Sequence, residues 1–237
     1  MSADIVIDRL FEALVSGDRP GARAVVAEQG KQGANPELLH TDLFWPTFEM
    51  LDKLYRNDQI GVLAHNCATR LLRVLIDQNA ARLLADKQSK QLERTVFACC
   101  GPSEGSELGA QIAVDILEAS GFNVRFAGGA VPADEVQALV QQDHPEVLLM
   151  FCSEPGDLPE IRGLIDNLHE VGACPNTQIV VGGGVFNRVD GLAEEIGADL
   201  WAADTLELVD TMIHDVEHRA APDQRTVGRK RKTGRAA

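Results

Sequence analysis

Whatever chemistry this chain performs must come from three loops and a few side chains. The run "SEGSELG", Ser103 to Gly109, follows the strand-like "RTVFACC" and precedes the helix-like "AQIAVDILEAS". It offers Glu104 and Ser106, but no histidine, lysine or cysteine. A second loop runs from Ser153 to Asp157, and a third, "VGGGVFN", carries Gly182 and Gly183. Glycine allows positive φ and close backbone approach. Neither glycine loop has the G-x-G-x-x-G spacing of a dinucleotide fingerprint or the lysine of a P-loop. The histidines are His40, His65, His144, His169, His214 and His218. No His, Cys or Ser is paired with an acid at a spacing that suggests a nucleophilic triad. The five cysteines are odd in number and scattered, mostly in apolar strand-like runs. They read as buried reduced thiols, and Cys99-Cys100 has no second pair at zinc-site spacing.

These residues need elements to hold them. The first 90 residues read as helices throughout. Ile5, Ile7, Leu10, Phe11 and Leu14 have helical spacing, which Gly17-Asp18 breaks. "RPGARAVVAEQG" is a second short helix ending at Gly30, and "NPELLHTDLFWPTFEMLDKLYRND" opens with an Asn cap and a Pro at the first helical position. Pro46 should kink or divide that third helix. "VLAHNCATRLLRVLIDQNAARLL" completes a bundle of four or five helices, and "ADKQSKQLER" reads as a linker. From Thr95 the rhythm changes to strands "TVFACC", "NVRFAG", "EVLLMFC", "TQIVVGG" and "ADLWAA", with helices starting near Ser106, Ala133, Leu158, Val189 and Leu206. That alternation predicts an α/β fold, a flavodoxin-like doubly wound five-stranded parallel sheet, behind an N-terminal helical bundle. Ligands of such sheets bind at the carboxyl ends of the strands, where all three loops fall. One glycine loop alone is simply a tight turn; three at one edge argue for a ligand.

The expected domains are a helical cap over 1–88, an α/β domain over 94–218 and a basic, disordered tail over 219–237. That tail has seven Lys and Arg against one Asp, so residues 1–218 carry −20 of a total of −14. So acidic a body argues against nucleic acid as a partner of the folded part, and leaves an electrostatic or nucleic-acid role open for the tail. No apolar run reaches the ~18 residues of a membrane span, and the acidic amino terminus lacks signal-peptide character. A cytoplasmic protein with no membrane partner is expected.

Helices followed by a five-stranded α/β domain resemble the cobalamin-binding modules of corrinoid methyl carriers, methionine synthase and light-sensing cobalamin-dependent repressors. The resemblance covers about residues 5 to 215. In that family the first loop reads Asp-x-His-x-x-Gly, the third strand ends in Ser-x-Leu, and a Gly-Gly follows. Here Glu104-x-Ser106-x-x-Gly109, Ser153-Glu154-Pro155 and Gly182-Gly183 stand in those places, with 43 residues between Gly109 and Ser153 and 26 between Pro155 and Gly182. The family's loop histidine is the lower cobalt ligand, and its Asp orients that imidazole. Ser106 cannot replace it, because a serine hydroxyl is a poor cobalt ligand at neutral pH. The light-sensing members carry a Trp followed ten residues later by Glu-His on the capping helices. Tyr55 and His65-Asn66 match that stretch within one residue, which makes His65 the candidate upper-face metal ligand. Packing between helices is the alternative for His65. His40 could line the same face, and the other four histidines fall on helix ends or surfaces.

The resemblance implies cobalamin as cofactor, held between the helical cap and the α/β domain; heme or another tetrapyrrole stands behind it. Methyl carriage and isomerase chemistry both control cobalt through the lower ligand missing here. A non-catalytic cobalamin-binding sensor or regulatory protein, signalling through a protein partner or its tail, is the leading expectation. A corrinoid methyl-carrier subunit is the alternative. A degenerate module serving only protein contacts is the third reading.

Overall fold

In a computed structural model, the structure describes residues 3–86, 91–102, 107–172 and 175–220. Helix α1 (Ala3–Val15) buries Val6, Leu10 and Leu14, four residues apart on one face, and ends before Gly17 at φ +70°. Helix α2 (Arg19–Lys31) starts at Asp18, whose carboxylate accepts from Gly21 N at 3.0 Å. Asn35 caps α3 (Pro36–Leu38) by accepting from Leu38 N at 2.8 Å. The chain then passes through a π-helical turn, Leu39–Phe44, into α4 (Trp45–Arg56). Pro46 therefore neither ends nor divides this helix. It has no N–H for the carbonyl four residues back, and the wider turn just before it absorbs the misfit, with Trp45 N bonded five back to His40 O. Helix α5 (Val62–Asp86) completes the helical region.

The strands are β1 (Thr95–Cys100), β2 (Asn123–Phe126), β3 (Val147–Phe151), β4 (Gln178–Gly182) and β5 (Leu200–Ala202). Their order, β2-β1-β3-β4-β5, is that of a doubly wound sheet with its switch point between β1 and β3. Pairing is parallel, with Val96 opposite Val147, Val147 opposite Gln178 and Val180 opposite Leu200. Strands β3 and β4 are buried at every residue, which explains why they read as unbroken apolar runs. Helix α6 (Glu107–Ala119) follows β1, α7 (Ala133–Asp143) follows β2, and α8 (Leu158–Val171) follows β3. Two short helices, α9 (Gly184–Arg188) and α10 (Leu192–Ile196), replace the single one expected between β4 and β5. Between them Gly191 turns the chain at φ +75°. Asp204 caps α11 (Thr205–His214), accepting from Leu206 N at 2.9 Å and Glu207 N at 2.8 Å.

The described residues of Met1–Glu93 and Glu107–Val124 pack as one unit, and those of Arg94–Ser106 and Arg125–Ala237 as a second. By sequence α6 is the first helix of the α/β domain; by packing it belongs with the helices before it. Its Leu108 and Ile112 enter the helical core of Leu10, Leu14, Phe44, Leu51, Leu72 and Ile76. In the second unit, buried polar groups tie down the C-terminal segment. Arg94 donates to Met212 O and to Gln178 Oε1, and Gln178 Nε2 donates to Asp215 O at 2.8 Å. The Asp199 carboxylate accepts from Ile179 N at 2.7 Å and Ala220 N at 2.8 Å. Among the described residues no helix is long and apolar enough to cross a membrane.

Candidate cofactor site

At the carboxyl ends of β1, β3 and β4 the chain makes three turns locked by backbone hydrogen bonds. Gly101 N donates to Phe151 O at 2.9 Å, Cys152 N to Gly182 O at 2.9 Å, and Val185 N to Cys152 O at 3.3 Å. Cys152 is thereby held between Gly182 and Val185, with Ser153 next in the chain. Gly183 sits at φ +107°, and a Cβ there would lie 2.3 Å from Cys152 O. No other residue fits such a place. A Cβ on Gly101 would lie 2.6 Å from the Asp157 carboxylate, which is buried at 3% exposure. At both places the chain's own close packing requires glycine, and the half-buried Gly183 and Gly184 follow at the end of β4.

Two side chains absent from the sequence-derived set complete this edge. Arg188, at the end of α9, donates to Ser153 O at 2.7 Å and so clamps the β3 loop to the β4 loop. Its signal was available: an exposed Asn-Arg pair, Asn187-Arg188, immediately past a triple glycine. The other is Cys152, whose thiol hydrogen-bonds Glu154 O at 3.2 Å. Burial first, then the Asp157 and Glu154 charges, push its pKa up to about 12. Cys99 is likewise pushed up to about 12 by burial, so neither is a thiolate at neutral pH. Cys67, in contrast, is exposed on α5.

Glu104 and Ser106 lie outside the described residues. Gly109 does not belong to the strand-end turns. It is the third residue of α6, and a Cβ there would meet the Phe48 ring at 2.7 Å, so packing within the helical unit explains the glycine.

In the helical unit Tyr55 and His65 come together. Their rings stack with centroids 4.0 Å apart and planes 17° from parallel. Both are half-buried, and Asn66 is exposed beside them. Burial lowers the His65 pKa from its ordinary 6.5, opposed by the Asp52 charge and a hydrogen bond to Asn66. Asp52 pairs with Arg56 at 3.0 Å, and burial raises its own pKa against the pull of Arg56 and His65. His65 is thus an imidazole kept neutral, the form that ligates metals.

His40 is different, and the idea that it lines the same face is wrong. It is fully buried, with Nε2 3.2 Å from Asp115 Oδ2 and Nδ1 2.7 Å from Asn79 Nδ2. Asn79 Nδ2 also donates to Pro36 O at 2.7 Å, which fixes the orientation of the amide. Nδ1 of His40 also lies 3.3 Å from Pro36 O, and Nε2 faces the Asp115 carboxylate. Both nitrogens are committed, so His40 is structural. Among the described residues no group of three or more His, Cys, Asp or Glu could hold a metal ion.

A helical unit precedes a 2-1-3-4-5 flavodoxin-like parallel sheet with glycine turns at the strand ends. The family follows from the sequence match: residues 94–210 belong to the B12 binding domain family. No curated protein matches the chain. Among solved structures, the Methanosarcina barkeri monomethylamine corrinoid protein matches with a TM-score of 0.78 at 16% identity, over 90% of this chain and 99% of that one. A cobalamin-binding protein from Desulfitobacterium hafniense DCB-2 matches with a TM-score of 0.48 at 17% identity, over 87% and 97%. At 16% identity the likeness to the monomethylamine corrinoid protein establishes the shared fold.

The residues present fit a corrinoid in one respect and depart from its usual setting in another. Half-buried Gly183 and Gly184, which carry no side chain, would let a bulky group approach backbone at the end of β4. No imidazole reaches it from the loops, since the chain has no histidine between His65 and His144.

Proposed function

We propose that this protein is a cobalamin-binding sensor or regulatory protein rather than a catalyst. One observation carries the reading: Ser106 stands where the family's loop has its cobalt-ligating histidine. In this reading residues 1–88 act as cap, 94–218 as the cobalamin domain, and 219–237 as a basic tail that meets a partner, although its first residues, Arg219 and Ala220, are hydrogen-bonded to the α/β unit. Bound cobalamin supplies a cobalt whose axial ligand can exchange. His65 offers that cobalt a neutral nitrogen, Tyr55 holds the ring by stacking, and Asn66 flanks it. Ser153 and the backbone at Gly182 and Gly183 receive the cofactor's tail, while Glu104 and Ser106 give it hydrogen bonds and no metal bond. Gly109 lets the helix after that loop seat closely.

The test is direct. Hydroxo-, methyl- and adenosylcobalamin are added in the dark, the protein is desalted, and spectra are recorded. Retained corrin absorbance that changes in His65→Ala supports the assignment, and loss of all absorbance from the wild type sinks the cobalamin reading. A corrinoid methyl-carrier subunit is the second reading, favoured by the full-length structural likeness to the monomethylamine corrinoid protein. Transfer of a methyl group from bound methylcobalamin to a thiol or pterin acceptor, with a partner enzyme, would favour it.

A further inference from the structure

The segments that follow the strands of the sheet hold one cation. Their described residues are 101–102, 127–132, 152–157, 183–191 and 203–204, and among these Arg188 is the one Arg, Lys or His. Residues 103–106, Ser-Glu-Gly-Ser, add none. Against Arg188 stand the carboxylates of Glu154, Asp157, Asp190 and Asp204. For an exposed group, this guanidinium is firmly mounted. Val185 and Phe186 of α9 are each buried to 2% exposure behind the Gly183 turn. Asn187 Nδ2 donates to Ala203 O at 2.7 Å, past the end of β5, and Arg188 Nη2 donates to Ser153 O at 2.7 Å, past the end of β3. The end of α9 is thus held from both neighbouring strand ends, and the cation is fixed at the β3–β4 turn, whose glycines carry no side chain. A guanidinium has five N–H donors in a planar fork, and Ser153 O takes one of them.

We propose that Arg188 takes the negative charge of the phosphodiester in the nucleotide tail of a bound corrinoid, and so selects complete cobalamins over corrinoids that end before the phosphate. This rests on the cobalamin reading and adds to it a specificity-determining residue. Guanidinium and phosphate match as fork and paired oxygens, which permits two parallel charge-assisted hydrogen bonds. The neighbouring carboxylates narrow the choice of anion. One cation among them favours a singly charged diester over a doubly charged phosphate monoester, because each added negative charge is repelled by every carboxylate nearby. The bond to Ser153 O helps as well, since a guanidinium already anchored loses less side-chain freedom when a phosphate arrives.

Spectral titration of the full chain with hydroxocobalamin and with hydroxocobinamide, which has the corrin but neither phosphate nor nucleotide, tests this. The wild type should bind the cobalamin more tightly. Arg188→Gln should weaken hydroxocobalamin binding about tenfold and change hydroxocobinamide binding by less than about twofold. Arg188→Lys, which keeps the charge and loses the fork, should fall between the two. Retained hydroxocobinamide binding also reports that each variant is folded. Equal weakening of both corrinoids in Arg188→Gln would mean that Arg188 serves only to clamp the β3 turn, and overturns the proposal. Unchanged hydroxocobalamin binding in that variant, or equal affinity of the wild type for both corrinoids, overturns it while leaving the cobalamin reading in place. A wild type that binds neither corrinoid removes that reading, and the proposal with it.

Discussion

Two corners of the helical unit each present a histidine, and they do opposite things with it. At the Pro36–Phe44 turn, His40 is fully buried with both nitrogens bonded, to Asp115 and to Asn79. At the start of α5, His65 is half-buried, and what holds it is chiefly the face of Tyr55. A ring held by its face, with one hydrogen bond to Asn66, leaves its other nitrogen available for chemistry; a ring engaged at both nitrogens does not. Burial acts differently too. Around His40 it comes with a donor and acceptors that match, whereas around His65 it lowers the pKa with only partial electrostatic relief from Asp52.

The contrast can be broken by experiment. His40→Ala should cost about 3 kcal/mol in urea denaturation, because Asp115 and Asn79 lose a buried partner at once. A cost below about 1 kcal/mol would mean that water replaces the imidazole easily. Asn79→Leu should cost about 1–2 kcal/mol by removing the buried donor shared by Pro36 O and His40 Nδ1. The loss is tempered because Asn79 Oδ1 is buried with no partner to forfeit. His65→Ala should cost less than about 1 kcal/mol in the free protein and change the spectrum of retained cobalamin. Equal stability losses at the two histidines would erase the distinction.

The smallest expected effect is a pH dependence. The folded pKa of His65 lies below its ordinary 6.5, so the unfolded chain binds more protons between those values. The contribution is fully present above pH 6.5 and lost as pH falls through the folded value. Thermal midpoints at pH 7.5 and 5.5 should therefore fall slightly more for the wild type than for His65→Ala. A larger acid loss in the variant would reverse the sign. Imidazole ligation of cobalt should weaken over the same acid range.

How much of this was legible beforehand differs by element. Strands β3 and β4 announce themselves because burial on both faces leaves an apolar run, and the Asn35 and Asp204 caps because capping is local chemistry. Pro46 is expected from the sequence to kink or divide its helix, and a π turn just before it takes up the misfit; that outcome depends on what the helix packs against. At the strand ends the glycines were legible, but Arg188 was missed, since its clamp on Ser153 spans 35 residues of chain. Gly109 was read as a loop glycine and proves to be a packing glycine against Phe48.

The sequence by itself determined the order of helices and strands, the three turns at one sheet edge, and the lack of any imidazole there, because periodicity, turn chemistry and residue identity are local. Only the tertiary structure decided which histidine is closed and which accessible, and that α6 packs with the helices before β1. Those depend on burial and on partners distant in the chain: Asp115 lies 75 residues from His40, and Glu107 lies 34 from Arg73.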